Sequence, residues 1–347
     1  MEGSFSWLPD NRRIVLAGRA AAAGGTHLWV ADLQKDSIRP ITQGISEEAE
    51  PAVPPDGNSV VFTSLESHWN IVEVSLGDFS ERSLLSTSHS EFNPAWSPEN
   101  NQFAYVTDRN GTHEIWIKQR TQNWGKPLIT GKELEGKTYS IGSPGFSPDG
   151  QRIAFQRRGN AGSGIYVATI VGGPPIQLTP ADGGESPTWS PDGNWIAYVS
   201  NKNGKFGLVK ARVGGSGKSE LLKDSIRNDA PQWSPTGNWI SCQSNEGLLL
   251  VSANGKESRL LSKELWLAHG WSKDGTGIYG IRQTNDGRFV LAIIDGATGT
   301  EKNLSIMESS FAADGPRGFS LSPDGLSFAT SVKTIKGDLW LLENLMR

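Results

Sequence analysis

Few residues of this chain have the types and spacing that chemistry needs. Gly214-Gly215-Ser216-Gly217 is the nearest approach to the Gly-x-Ser-x-Gly turn that lifts a nucleophilic serine between a strand and a helix. Position 218 is lysine where that pattern needs glycine. Gly217-Lys218-Ser219 has the ending of a phosphate-binding loop, but the glycine required five residues before Gly217 is Arg212. Gly162-Ser163-Gly164 lacks the strand-to-helix setting of a dinucleotide fingerprint and reads as a turn before Ile165-Tyr166-Val167. The histidines, His27, His68, His89, His113 and His269, lie far apart, without metal-ligand spacing. Asp10-Asn11 and Asn285-Asp286-Gly287 lack the alternating acidic ligands of a calcium loop, so turn formation accounts for them. Cys242 is the only cysteine, which rules out a disulfide within the chain. Its place in Trp239-Ile240-Ser241-Cys242 predicts an inert core thiol. The expectation is a chain that is not an enzyme, with no catalytic set, no cofactor and no metal.

The elements that would position any site are set by a repeat. An aromatic or apolar residue followed by Ser-Pro-Asp-Gly, or by a decayed form of it, begins at Trp7, Val53, Trp96, Phe146, Trp189, Trp233, Trp271 and Leu321. The intervals run from 38 to 50 residues. Proline presets φ for the second turn position, aspartate tolerates the third, and glycine takes the left-handed conformation that starts the returning strand. The tetrapeptide is therefore a hairpin between a first and a second strand. The second strands, such as Phe103-Ala104-Tyr105-Val106 and Trp195-Ile196-Ala197-Tyr198-Val199, are apolar on both faces, as in a sheet covered on both sides. Polar turns such as Asp108–Gly111 and Asn201–Gly204 lead to third strands, among them Leu28-Trp29-Val30, Ile115-Trp116-Ile117 and Leu339-Trp340-Leu341-Leu342. Fourth strands such as Ile38–Thr42 and Ile176–Thr179 are more polar, as an outer rim would be.

Four short antiparallel strands at this interval predict an all-β fold, a β-propeller of eight four-stranded blades, with almost no helix. Residues 1–347 are read as one propeller domain, with blades starting near 4, 50, 93, 143, 186, 230, 268 and 318. The anchor aromatics Trp7, Trp96, Phe146, Trp189, Trp233 and Trp271 recur once per blade, which favours packing between blades over a ligand cage. Each buried one is worth about 1.5–3 kcal/mol. The last copy ends after three strands at Arg347, so its blade is expected to lack its outer strand. Two readings follow. Either the chain is the C-terminal part of a longer protein whose upstream strand closed the ring, or the last blade keeps an open edge.

Composition narrows the function classes. The chain has 41 glycines and 19 prolines in 347 residues, consistent with frequent turns, and a net charge of −4. Its lysines and arginines are scattered, and the longest basic cluster is Gln156-Arg157-Arg158, so nucleic acid is not an expected partner. No run of 18 apolar residues occurs, so membrane insertion by this chain is not expected. Met1–Trp7 has neither a basic nor an apolar leader region, which places the chain as written in the cytoplasm. As part of a longer exported or membrane-anchored protein it would be periplasmic.

The fullest copies, residues Pro187–Ser200 (with Trp189-Ser190-Pro191-Asp192-Gly193 and Trp195-Ile196-Ala197-Tyr198-Val199) and Pro144–Phe155 (with Phe146-Ser147-Pro148-Asp149-Gly150 and Ile153-Ala154-Phe155), resemble the bacterial TolB-like β-propeller repeat family. That family takes its name from the periplasmic partner protein of the Tol–Pal system. None of the 13 tryptophans is followed by aspartate, so the Trp-Asp repeat family fits worse. The resemblance covers the whole chain and implies the fold more strongly than an activity. It implies a protein-binding or sensory scaffold, as in a larger signalling protein. Similar propellers also gate or recruit substrate for prolyl-oligopeptidase-type peptidases or serve serine/threonine kinases.

In a propeller, the loops entering the first strands border the central channel, and variable loops on a rigid frame carry binding. Here they hold Glu47–Glu50, Ser90–Asn93, Glu185-Ser186, Asn228-Asp229 and Trp266–His269, a net acidic set with aromatics among it. Glu50, Glu91, Asn93, Glu185, Asp229 and His269 are the candidate residues for binding a protein or peptide of basic character at the channel mouth. The oligomeric state cannot be read from the chain.

Overall fold

Ser147-Pro148-Asp149-Gly150 shows how each repeat turn is held. Gly150 N donates to Ser147 O at 2.8 Å, and Arg152 N donates to Ser147 Oγ at 2.9 Å. The serine hydroxyl in turn donates to Asp149 Oδ1, which also accepts Gln151 N at 3.0 Å. Gly150 sits at φ 66°, the left-handed region that glycine enters without steric cost. The same bonds recur at Ser190–Asp192, Ser272–Asp274 and Ser322–Asp324. In all four turns the serine hydroxyl, first among several hydrogen bonds, holds the aspartate below the ordinary carboxylate pKa.

A computed structural model of the chain describes residues 4–19, 25–44, 46–98, 101–122, 124–134, 138–160, 162–180, 183–202, 204–215, 217–223, 226, 227, 229–307 and 315–345. Ser216 and Asn228, named above, lie outside them, as do Asn203, Met1–Gly3 and Arg347. The all-β architecture is as the repeat predicts: antiparallel sheets, with a 3-10 turn at Gly131–Glu133 as the one helical element among the described residues. None of the described helical structure is long and apolar enough to cross a membrane. The chain divides into two compact units, Trp69–Lys333, and Met1–His68 with Thr334–Arg347.

The larger unit carries the third to eighth repeat turns. Its innermost strands are Glu91–Trp96, Thr138–Phe146, Gly184–Trp189, Gln232–Trp233, Trp266–Trp271 and Arg317–Leu321. Each touches the next, and Arg317–Leu321 touches Glu91–Trp96, so six sheets close a ring. Hydrogen bonds stitch four of the anchors to the sheet before them. The indole N–H of Trp189 donates to Gly145 O, and that of Trp271 to Gln232 O, both at 3.0 Å. Trp233 N donates to Thr188 Oγ1 at 3.2 Å, and across the closure Trp96 N donates to Ser320 Oγ at 2.8 Å. The core lies between adjacent sheets. Ile115 and Ile117 of one meet Ile153 and Phe155 of the next, and Ala197, Val199 and Leu208 meet Ile240, Cys242 and Val251.

The sheet of the eighth repeat differs from the sequence expectation of a missing outer strand. Arg317–Leu321 and residues 327–333 form its first two strands, and residues 69–75 and Glu81–Leu85 supply the third and fourth. Leu76 N donates to Leu326 O at 2.8 Å where the second and third strands meet. This composite sheet is packed on both faces. Val72, Val74 and Phe328 meet Ala268, Ile281 and Leu291, while Ile71 and Ala329 meet Trp96, Phe103 and Tyr105. Leu339–Leu342, expected as a separate strand, belongs to the single long strand Ser327–Glu343.

The smaller unit carries the first two repeat turns. One sheet runs Phe5–Trp7, Arg13–Gly18, His27–Asp32, Ser37–Pro40. The other combines Glu47–Ala52, residues 59–68 and residues 334–343. Leu8, Val15, Leu28 and Val30 meet Val60, Phe62 and Leu345 between them.

Candidate functional site

The six innermost strands of the larger unit surround a cavity of about 730 Å³. Residues 93–96, 143–146, 186–189, 266–269 and 316–320, with Asp229, Ala230 and Gln232, contribute to its wall. The sequence supports such a wall through a bulge three residues before the anchor. Asn93, Ser143 and Ser186 sit there at φ 52°, 49° and 51°, and Gly318 takes the same place at φ 74°. The strand register slips across each of these positions. A bulge leaves one residue out of the ladder, and short polar residues or glycine tolerate the left-handed backbone it requires. Pro94, Pro144 and Pro187 follow directly. Each has no N–H to leave unpaired, and each stands on an edge strand, where proline is tolerated.

The wall is rich in proline and aromatic groups and sparing in charge. Among the described residues its one carboxylate is Asp229 and its one guanidinium is Arg317. Burial raises the Asp229 carboxyl, against the opposing pull of Arg227, whose Nε lies 3.6 Å away. Arg317 is exposed and lies over the Trp69 ring at 4.2 Å, in cation–π geometry. His269 is buried, and desolvation lowers its imidazole to about 4, so the ring is neutral at pH 7.

His269 Nε2 lies 3.0 Å from Ser241 Oγ, a serine–histidine pair worth weighing as a nucleophile and its base. The surroundings argue for packing instead. Ser241 is fully buried and its hydroxyl also donates to Gln232 O at 3.3 Å, so it presents no open nucleophile. A base titrating near 4 is poorly matched to neutral pH. The adjacent Cys242 is buried, and its thiol is pushed up to about 12 by desolvation. Among the described residues no three His, Cys, Asp or Glu gather to hold a metal ion.

The structure brings together Asn93, Asp229 and His269 of the candidate residues, all in the cavity wall. It does not bring Glu91 or Glu185 there as open carboxylates. Glu91 is fully buried, accepting from Thr87 Oγ1 at 2.7 Å and Arg109 Nη2 at 3.2 Å, and burial raises its carboxyl against both. Glu185 is buried and paired with Arg158 Nη2 at 2.9 Å. Glu50 belongs to the smaller unit, exposed, at the bulge position with φ 54°. The segments expected as entry loops are largely the first strands themselves, which is why alternation turns some of their acids inward. Arg317 and Phe319 were not foreseen as wall residues. Aligning the repeats on their anchors reveals Arg317, which stands four residues before Leu321 as Asp229 stands four before Trp233.

Comparison with known proteins agrees with this architecture. The family model of the TolB beta propeller domain matches residues 72–314. The chain belongs to that family. The Tol-Pal system protein TolB of Anaeromyxobacter sp. (strain K) is 31% identical over 120 residues, covering 32% of this chain and 26% of that protein. The matched part of the chain thus spans about a quarter of that relative's length. The solved structure of a putative TolB from Agrobacterium tumefaciens has a TM-score of 0.65 at 20% identity, covering 78% of this chain and 99% of that one. A puromycin-hydrolyzing peptidase of Mycobacterium tuberculosis has a TM-score of 0.54 at 15% identity, covering 91% of this chain and 55% of that one. At these identities the two structures share the fold, and a shared propeller does not carry an activity across.

Proposed function

We propose that the chain is a protein-binding propeller module without chemistry of its own, and that the cavity of the larger unit receives a segment of a partner polypeptide. The observation that carries this reading is the wall: prolines and aromatic residues interleaved with polar ones, among them Asn93, Ser186, Thr188, Asp229, Gln232 and Arg317. A concave wall that sets apolar side chains beside placed polar groups can both hold and orient a ligand. A polypeptide segment offers apolar side chains to such walls and backbone N–H and C=O groups to the polar points. Membership of the TolB family, with relatives named for the Tol-Pal system, supports a protein partner. With Glu91 and Glu185 paired internally, Asp229 and Arg317 balance, so the buried part of the segment is expected to be near neutral rather than basic.

The test plugs the cavity. Ala230 is an exposed wall residue, so Ala230→Trp fills space without displacing core. Peptides selected by display on the wild-type chain should bind the variant at least ten-fold more weakly, with circular dichroism unchanged. Unchanged affinity would overturn the cavity as the site.

A further inference from the structure

The two sheets of the smaller unit leave an apolar face open on each side. In the first sheet Val15, Leu28 and Val30 point to the second. The register sets Phe5 opposite Leu16, Leu16 opposite Trp29, and Trp7 opposite Ile14, so these side chains share the other face. Phe5 is 57% exposed and Trp7 49%. In the second sheet Val60, Phe62 and Leu342 pack toward the first. Alternation along each strand then puts Val61, Leu339 and Leu341 on the opposite face. They are 37%, 78% and 55% exposed. Contiguous apolar faces of this kind mark association surfaces.

The larger unit shows what covers such faces in this repeat. There every sheet has a neighbour on both sides, and six sheets close a ring. In the smaller unit one such contact is already made, between the first sheet's inner face and the second's. The faces left over are the two that would continue the same stacking, one at each end.

We propose that the smaller unit assembles with copies of itself. The open face of the first sheet in one copy packs on the open face of the second sheet in the next, and three copies close a six-bladed ring. The contact is head-to-tail, which closes into a ring when the rotation per step allows. The step assumed for the smaller unit is that of the larger unit, whose sheets close a ring after six blades. Two blades per copy then require three copies.

Sedimentation velocity and native mass spectrometry of the full chain test this, with Trp7→Asp on one face and Leu339→Asp on the other. Both residues are substantially exposed in a single copy, so each variant should keep the wild-type circular dichroism and urea midpoint. The wild-type chain should be a trimer at tens of micromolar, and each variant alone a monomer. Mixed in equal amounts, the variants should form a heterodimer through the one pair of intact faces. A wild-type chain that stays monomeric overturns the proposal. So does a dimer insensitive to Trp7→Asp, which would point to edge pairing of residues 334–343, or a mixture that remains monomeric.

Discussion

Replacing Glu73 by alanine should cost the larger unit about 3–5 kcal/mol. Glu73 is 1% exposed and lies on the third strand of the composite sheet. Its carboxylate accepts from Arg120 Nη2 at 2.7 Å, from Arg82 Nε at 2.8 Å and from Ser327 Oγ. It therefore ties residues 69–75 to the second strand of that sheet and to the neighbouring blade. The Arg120 bond is charge-assisted and part-buried, worth about 1.5–3 kcal/mol, and the Ser327 bond about 1 kcal/mol. The Arg82 side chain is 58% exposed, so solvent screening leaves its bond about 0–1 kcal/mol. Glu73→Gln keeps an acceptor and should lose about half as much, roughly 2 kcal/mol. Urea unfolding followed by tryptophan fluorescence gives the loss, and a cycle with Arg120→Ala should return a coupling of at least about 1 kcal/mol. A loss below about 0.5 kcal/mol would refute the reasoning, since that is the range of an ordinary surface substitution.

His269 should make stability depend on pH. Its folded imidazole titrates at about 4, below the ordinary 6.5, so between those values the unfolded chain holds the proton that the folded one excludes. Stability is fully present above pH 6.5 and should fall by roughly 3 kcal/mol toward pH 4. His269→Gln should flatten that part of the profile in urea titrations, and an unchanged profile would contradict the assignment. Gly247→Ala should destabilise by at least about 2 kcal/mol, because a Cβ there would meet Ser262 O at 2.0 Å with φ at +135°. Gly287→Ala, at φ +85° with open space around it, should cost only about 1–2 kcal/mol, both losses being read from urea unfolding. Equal losses would show that the close approach at Gly247 is not felt.

What was legible in the sequence is local chemistry. Ser147-Pro148-Asp149-Gly150 and its copies announce a turn because all their bonds lie within six residues, and the flanking apolar strands follow from them. The closing of the ring was not legible. Residues 69–85 join residues 317–333 across most of the chain, and nothing near Trp69 or Ser327 signals that partner. For the same reason Leu339–Leu342 read as a strand of its own, although it continues a strand as long as its partner Ser59–Ser75. Glu91 and Glu185 read as open acids because their partners, Arg109 and Arg158, lie in other strands or turns of the fold. Asn93, Asp229 and His269 were singled out because they stand just before the anchors, and they lie in the cavity wall.

Binding at the cavity is tested most directly by hydrogen exchange on the full chain, with and without a display-selected peptide. The account predicts added protection in residues 93–96, 186–189 and 316–320, which share the cavity wall, and little change in the outer strands Gly125–Ile129 and Glu301–Ile306. Protection confined to those outer strands or to the smaller unit, with the wall residues unchanged, would contradict it.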